Sequence, residues 1–210
     1  MRDTYRHTQC GVCSPADSGR QRLVSAFSIP LKAPAVIYLL VALWAVHGLQ
    51  WLIPGDLHHY GIMPRSVTEV WHIALAPLIH ANLWHLMGNS VALLGLGLLV
   101  QTKKDAEFWE LWAVLTLLAG LGTWLFGSRA YHIGASGVIL GLWAFIITDA
   151  FFRRSTRAIA IALAALILYP SFLFVVFDFR PHISWAGHMS GLLSGALIAW
   201  LNAKGQAIDE

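Results

Sequence analysis

The sequence predicts an all-α, polytopic membrane protein of six transmembrane helices, and three observations carry that prediction. Of the 210 residues, 57% are hydrophobic and only 12% are charged, half the roughly 25% usual in soluble domains. The apolar residues fall in long runs near 33–53, 83–101, 111–127, 135–152, 158–177 and 183–202. The basic residues alternate in number from one connection to the next. Scarcity of charge also excludes disorder and coiled coil, both of which need it in abundance.

Crossing the hydrocarbon core takes about 20 apolar residues, with a range of about 17–25. All six runs qualify, the third only just. In lipid they must be helices, because a helix satisfies its own backbone hydrogen bonds. Most contain no Asp, Glu, Lys or Arg; the fourth has Asp149 near its far end, four residues from a pairing candidate, Arg153. The fifth is interrupted by Pro170 and is bulky beyond it, with Phe172, Phe174 and Phe177. The six runs define one membrane domain over 33–202, flanked by tails at 1–32 and 203–210.

Orientation follows from the cations. Arg2, Arg6, Arg20, Arg22 and Lys32 lie in the first tail, Lys103 and Lys104 follow span 2, Arg153, Arg154 and Arg157 follow span 4, and Lys204 is in the last tail. The opposite side holds only Arg65, Arg129 and Arg180. The positive-inside rule therefore places both termini in the cytoplasm. The pI of about 9.1 is explained by topology and anionic lipid headgroups, and no basic cluster interleaved with aromatics suggests nucleic acid. Trp51, Trp109, Trp112, Trp124, Trp185 and Trp200 sit near span ends as an interfacial belt.

The first 30 residues are polar and lack the apolar core of a secretory signal; Asp3 and Asp17 count against an organellar transit peptide. Cys10 and Cys13 form a lone C-x-x-C. Without a second pair or a βαβ context they read as two free thiols in a reducing cytoplasm.

Polar groups inside a span are costly and therefore mark functional sites by default. His85 and Asn89 in span 2 are four residues apart, on one helix face. Span 4 opens with Gly134, Ala135, Ser136 and Gly137, and span 6 carries Gly187 and His188. All three spans enter from the outer side, so at 1.5 Å per residue these groups lie within roughly 10 Å of one boundary. Ser136 is a weak nucleophile that needs a base within about 2.6–3.2 Å, and His188 is that base, poised near neutrality. Asn89, His85 and the Ser136 backbone N–H offer donors for a developing oxyanion. Gly187, Gly191 and Gly195 on span 6, with Gly137 and Gly141 on span 4, permit the close helix approach that a Ser–His contact requires.

H-x-x-x-N in span 2, G-x-S-G opening span 4 and G-H-x-x-G-x-x-x-G in span 6 resemble the rhomboid intramembrane serine proteases in order, spacing and six-span frame. The resemblance covers about 35–202 and predicts a six-helix rhomboid-like bundle. It implies hydrolysis of peptide bonds in or beside transmembrane segments of membrane proteins, with Ser136 as nucleophile, His188 as general base, His85 and Asn89 as oxyanion donors, and neither metal nor cofactor. It implies transmembrane protein substrates with small residues at the scissile bond and helix-breaking residues beyond. The connection 54–82, with Gly61 to Arg65, resembles the family's partly embedded first loop.

Two departures stand out. Many rhomboids have Tyr four residues after the serine, against the histidine ring, where this chain has Leu140; the family often has Ala before the histidine, where this chain has Gly187. Something else must hold the ring, with Trp185 and Trp143 as candidates. Of the outer acids Asp56, Glu69 and Asp178, only Asp178 stands near enough in sequence to span 5 to be weighed as a third member, and a Ser–His dyad is preferred. Span 5 reads either as a lateral substrate gate or as a lipid-facing helix kinked at Pro170. The compact six-span form suggests a prokaryotic plasma membrane, with the site open to the outer side.

Three other readings compete with this one. A metal or haem site draws on His72, His80, His85 and His188, but the five-residue step from His80 to His85 puts them on different faces of a helix. A rhomboid-like protein that binds or escorts membrane clients without cutting them would typically lack the serine or the histidine. A transporter would show an inverted repeat or an acidic relay.

Overall fold

The computed structural model describes residues 34–52, 54–100, 105–180 and 183–206. The tail 1–32 with its C-x-x-C, the pair Lys103 and Lys104, and the last four residues lie outside them. The described chain is helical: α1 (Ala35–Leu52), α2 (Leu83–Val100), α3 (Asp105–Phe126), α4 (Ser136–Arg153), α5 (Thr156–Leu168) and α6 (Trp185–Gln206), with short 3-10 turns between α1 and α2 and after α5. Antiparallel pairing of Ile62 with His132 is the isolated β-bridge among the described residues.

Apart from α4, each helix buries one stripe and exposes apolar residues on the other side. In α1 the buried positions Val36, Leu39, Leu43 and His47 recur at three- and four-residue steps, the period of one helix face. On its far side Val41, Trp51 and Leu52 are 63%, 78% and 79% exposed. Such apolar exteriors would aggregate in water and suit lipid. α2 buries Leu86, Asn89, Leu93 and Leu96 against α1 and α4, and Trp44 Nε1 donates to Ser90 Oγ at 3.1 Å across the α1–α2 seam.

Helix α4 is the hub. Seven consecutive residues, Val138 to Ala144, are buried, which a helix shows only when neighbours cover every face. It packs most extensively on α6, and also on α2, α3 and α5. It ends at Arg154 in the left-handed region (φ 50°), and α5 begins two residues later, capped by Ser155 Oγ accepting from Ala158 N–H at 3.2 Å.

Among the described residues four helices are long and apolar enough to cross a membrane: α1, α2, the Glu107–Phe126 part of α3, and α4. The other two differ from expectation. Helix α6 has the length, 22 residues, but Gly187, His188, Ser190, Gly191, Ser194 and Gly195 dilute its apolar content where it meets α4. The run at 158–177 is not one kinked helix. α5 stops at Leu168 after 13 residues, about 20 Å at 1.5 Å per residue, against a hydrocarbon core of about 30 Å. Pro170 lacks the N–H and crowds the preceding turn, so the chain continues as 3-10 turns over Pro170–Phe177. Tyr169 pins the break to α2, its hydroxyl donating to the Val91 carbonyl at 3.1 Å.

The connection 54–82 is ordered by specific bonds. Asp56 Oδ1 accepts from His58 N–H at 2.9 Å and starts the Leu57–Tyr60 turn. Arg65 N–H donates to the Trp124 carbonyl at 3.1 Å, and Trp124 Nε1 donates to the Ser66 carbonyl at 3.0 Å. The loop is thus tied to the end of α3 nearest Ser136.

Candidate active site

The structure brings Ser136 and His188 into contact: Ser136 Oγ lies 2.9 Å from His188 Nε2, across 52 positions of sequence. Ser136 is the first residue of α4, after Ala135 at the cap, so its own N–H is among the donors a helix start leaves unpaired. His188 is in the first turn of α6, and its N–H donates to the Ser184 carbonyl at 2.9 Å. His188 is buried and Ser136 half-buried.

Contact at that distance needs two backbones nearly touching. A Cβ at Gly191 would land on the Gly137 carbonyl oxygen and one at Gly195 on that of Gly141; one at Gly137 would lie 2.9 Å from the Gly187 carbonyl. The five glycines form a reciprocal ladder, and their spacing of four sets the α4–α6 seam.

His85 and Asn89 reach the same place. A Cβ on Gly134 would stand 2.7 Å from His85 Nε2 and 3.5 Å from Asn89 Nδ2, and Gly134 has φ +105°, a conformation glycine adopts without strain. The two donor side chains therefore cover the backbone two residues before Ser136. The fixed amide of Asn89 has a partner that sequence reasoning missed. His80 Nε2 lies 2.9 Å from Asn89 Nδ2, while His80 Nδ1 faces the Leu78 carbonyl at 3.3 Å. A carbonyl only accepts, so Nδ1 carries the proton and Nε2 accepts from Asn89. Burial, and then His85, hold His80 down at about 4, in keeping with a neutral ring.

His80 and His85 do not share a helix. Helix α2 begins at Leu83, so His80 stands in the lead-in and the rings meet edge-on at 5.0 Å. Among the described residues no three His, Cys, Asp or Glu side chains are grouped as a metal ligand set.

Asp178 is hydrogen-bonded to Arg180 and also acts on His188 through its charge. Arg180 Nε donates to its carboxylate at 2.7 Å, and that guanidinium holds the Asp178 carboxyl at about 2. Asp149 likewise pairs with Arg153 at 2.7 Å. Trp143 packs on Phe172 and donates to the Ala165 carbonyl at 3.3 Å, and Trp185 stacks on Phe179. Leu140 is buried, and His188 Nδ1 has no hydrogen-bond partner among the described residues.

A cavity of about 40 Å³ adjoins Ser136 and His188, walled by Ile62, Ala76, Ile133 and Thr123. One water takes roughly 10–15 Å³ on such a measure, so the space suits a few waters. A larger cavity of about 510 Å³ lies at the Arg153 end of the bundle, lined by Glu107, Asp149 and Asn202 among others, away from the Ser–His pair.

An apolar-surfaced helical bundle with a part-buried Ser–His contact between two glycine-laddered helices is a narrow class of protein. Residues 67–205 match the Rhomboid domain, and the chain belongs to the rhomboid family. An uncharacterised protein of Mycobacterium tuberculosis is 34% identical over 79% of this chain and 73% of its own. A Bacillus subtilis protein named "Putative rhomboid protease YdcA" is 26% identical over 86% of this chain and 89% of its own. RHOMBOID-like protein 1 of Arabidopsis thaliana is 22% identical over 63% of this chain and 34% of its own.

Proposed function

We propose that this chain is an intramembrane serine endopeptidase that cuts peptide bonds in or beside transmembrane segments of membrane proteins. The observation that carries it is the 2.9 Å contact between Ser136 Oγ and His188 Nε2. With Nε2 accepting the hydroxyl proton, the neutral ring carries its own proton on Nδ1. As Oγ attacks the scissile carbonyl, His188 takes the hydroxyl proton, and the new C–O bond leaves a tetrahedral oxyanion. Asn89 Nδ2, His85 and the Ser136 N–H supply donors for it. Collapse breaks the C–N bond, His188 returns the proton to the leaving amine, and Ser136 holds the acyl group. Water, deprotonated by the same ring, then releases the carboxylate product and regenerates the serine.

The reading includes six crossings, with α5 and its 3-10 continuation forming the fifth and α6 the sixth. Both termini face the cytoplasm of a prokaryotic plasma membrane, the site opens outward, and the partners are transmembrane substrates and lipid. The test is fluorophosphonate treatment of the detergent-solubilised protein, with the adduct located by peptide mass spectrometry. The expected result is one adduct, on Ser136, accompanied by cleavage of a transmembrane substrate. An adduct elsewhere, with Ser136 unmodified in a cleaving protein, would sink the assignment. Leu140 and the unpartnered His188 Nδ1 favour a second reading, client binding without turnover; a folded protein that neither labels nor cleaves selects it.

A dyad also predicts the behaviour of the nearest acid. Loss of the carboxylate from a true triad lowers kcat about 10⁴-fold. Asp178→Asn is expected to keep kcat within about threefold, because its bonds go to Arg180. A loss of a thousandfold or more in kcat would make Asp178 a triad member.

A further inference from the structure

We propose that His132 is a positioning residue that sets the place of His188 by anchoring the cap of α6; the proposal rests on the protease reading above. His132 lies four residues before Ser136, in the connection between α3 and α4. Its backbone is doubly bonded to the first loop, Ile62 N–H to the His132 carbonyl and His132 N–H to the Ile62 carbonyl, both at 2.9 Å. Its ring has two partners of fixed sense. Nε2 lies 3.0 Å from the Ser128 carbonyl, which only accepts, so Nε2 carries the proton and Nδ1 of the neutral ring accepts. Ser184 Oγ, 2.7 Å from Nδ1, is therefore the donor.

Ser184 is the N-cap of α6. Its Oγ accepts from Gly187 N–H at 3.2 Å, the usual bond of a serine cap to the third helical residue, and its carbonyl takes the N–H of His188. With its proton given to His132 and its lone pair to Gly187, the hydroxyl has one orientation. His132 thus joins the lead-in of the serine helix to the first turn of the histidine helix.

Two other features become intelligible together. A Cβ on Gly187 would stand 2.7 Å from Ser184 Oγ and 3.2 Å from Thr123 Oγ1. Glycine at this position is what leaves room for the cap. The imidazole of His188 also lacks a partner at Nδ1 among the described residues, and Leu140 offers no ring to stack on it. Its orientation then depends on the Ser136 contact at Nε2 and on its backbone, whose position is the position of the capped first turn.

The experiment uses the full chain in detergent, with His132→Phe and Ser184→Ala as breaking variants and His132→Asn, whose amide can reach the Nδ1 position, as rescue. Three readouts are taken: kcat and KM for a transmembrane substrate, thermal midpoint, and hydrogen exchange of the 185–192 amides. Each breaking variant is expected to lower kcat about tenfold, the size of a lost helix cap, with KM within twofold. Exchange at Gly187 and His188 rises about tenfold, the double variant is no worse than the poorer single, and His132→Asn recovers most of kcat. Unchanged kcat and exchange overturn the proposal. So does a rise in KM alone, which would make His132 a substrate contact, or a kcat loss that follows a fallen midpoint and is not rescued by Asn. A wild type without turnover defeats the protease reading, while the exchange arm still decides whether His132 seats the cap.

Discussion

His188→Ala is expected to abolish substrate cleavage and fluorophosphonate labelling together, by about a million-fold in kcat where the chemistry limits the rate. Among the described residues the ring nitrogen at 2.9 Å is the base that the Ser136 hydroxyl meets, and the Asp178 carboxylate is bonded to Arg180. Without the imidazole the attacking oxygen must lose its proton to water in a space that holds only a few molecules. The leaving amine loses its acid at the same stroke. Ser136→Ala should be equally inactive, and the double variant no worse than either single, because the two groups act as one unit. The measurement is single-turnover cleavage alongside active-site labelling of folded, detergent-purified variants. Cleavage by His188→Ala within a hundredfold of wild type would mean that another group takes the proton.

The second large effect is expected at a residue with no reacting atom. Gly191→Ala places a methyl group on the Gly137 carbonyl oxygen, and neither backbone has a rotamer with which to yield. The α4–α6 seam must open, and it opens one turn from the Ser136–His188 contact. A misplacement of about 1 Å costs on the order of 100-fold in rate, and overpacking costs typically 1–3 kcal/mol of stability. Gly191→Ala is therefore expected to lose at least about 100-fold in kcat and several degrees in thermal midpoint. Gly48→Ala, with no atom within 4 Å of the new carbon, is the control and should retain kcat within twofold. Equal behaviour of the two variants would refute the ladder as the device that brings serine to histidine.

Much of this was legible in the sequence because lipid imposes long apolar runs, and a run is visible without knowing its neighbours. Boundaries were less legible where composition and helix disagree. α3 is already helical at Asp105, six residues before its apolar run, and Glu107 lies toward its amino end, where the macrodipole favours anions. Pro170 signalled a disturbance without saying whether the helix would bend or end. The tyrosine beside it decides, through a bond to Val91 that no local pattern encodes. At the site, Ser136, His188, His85 and Asn89 were recognisable by type, depth and spacing. His80 was discounted by treating a lead-in as helix, and the H-x-x-x-x-H signal was present but assigned the wrong geometry. His132 and Ser184 left no local trace, since their contact joins positions 52 apart.

The small chamber beside Ser136 has a kinetic meaning. About 40 Å³ holds a few waters and is smaller than a peptide segment, so on the protease reading the lining has to shift to seat a scissile bond. Discrimination then falls on the time axis. Each visiting helix faces a race between its own departure and the opening of the chamber, and two visitors of equal affinity are cut at different rates if one lingers longer. On the protease reading, a slow opening spares the helices that merely pass by.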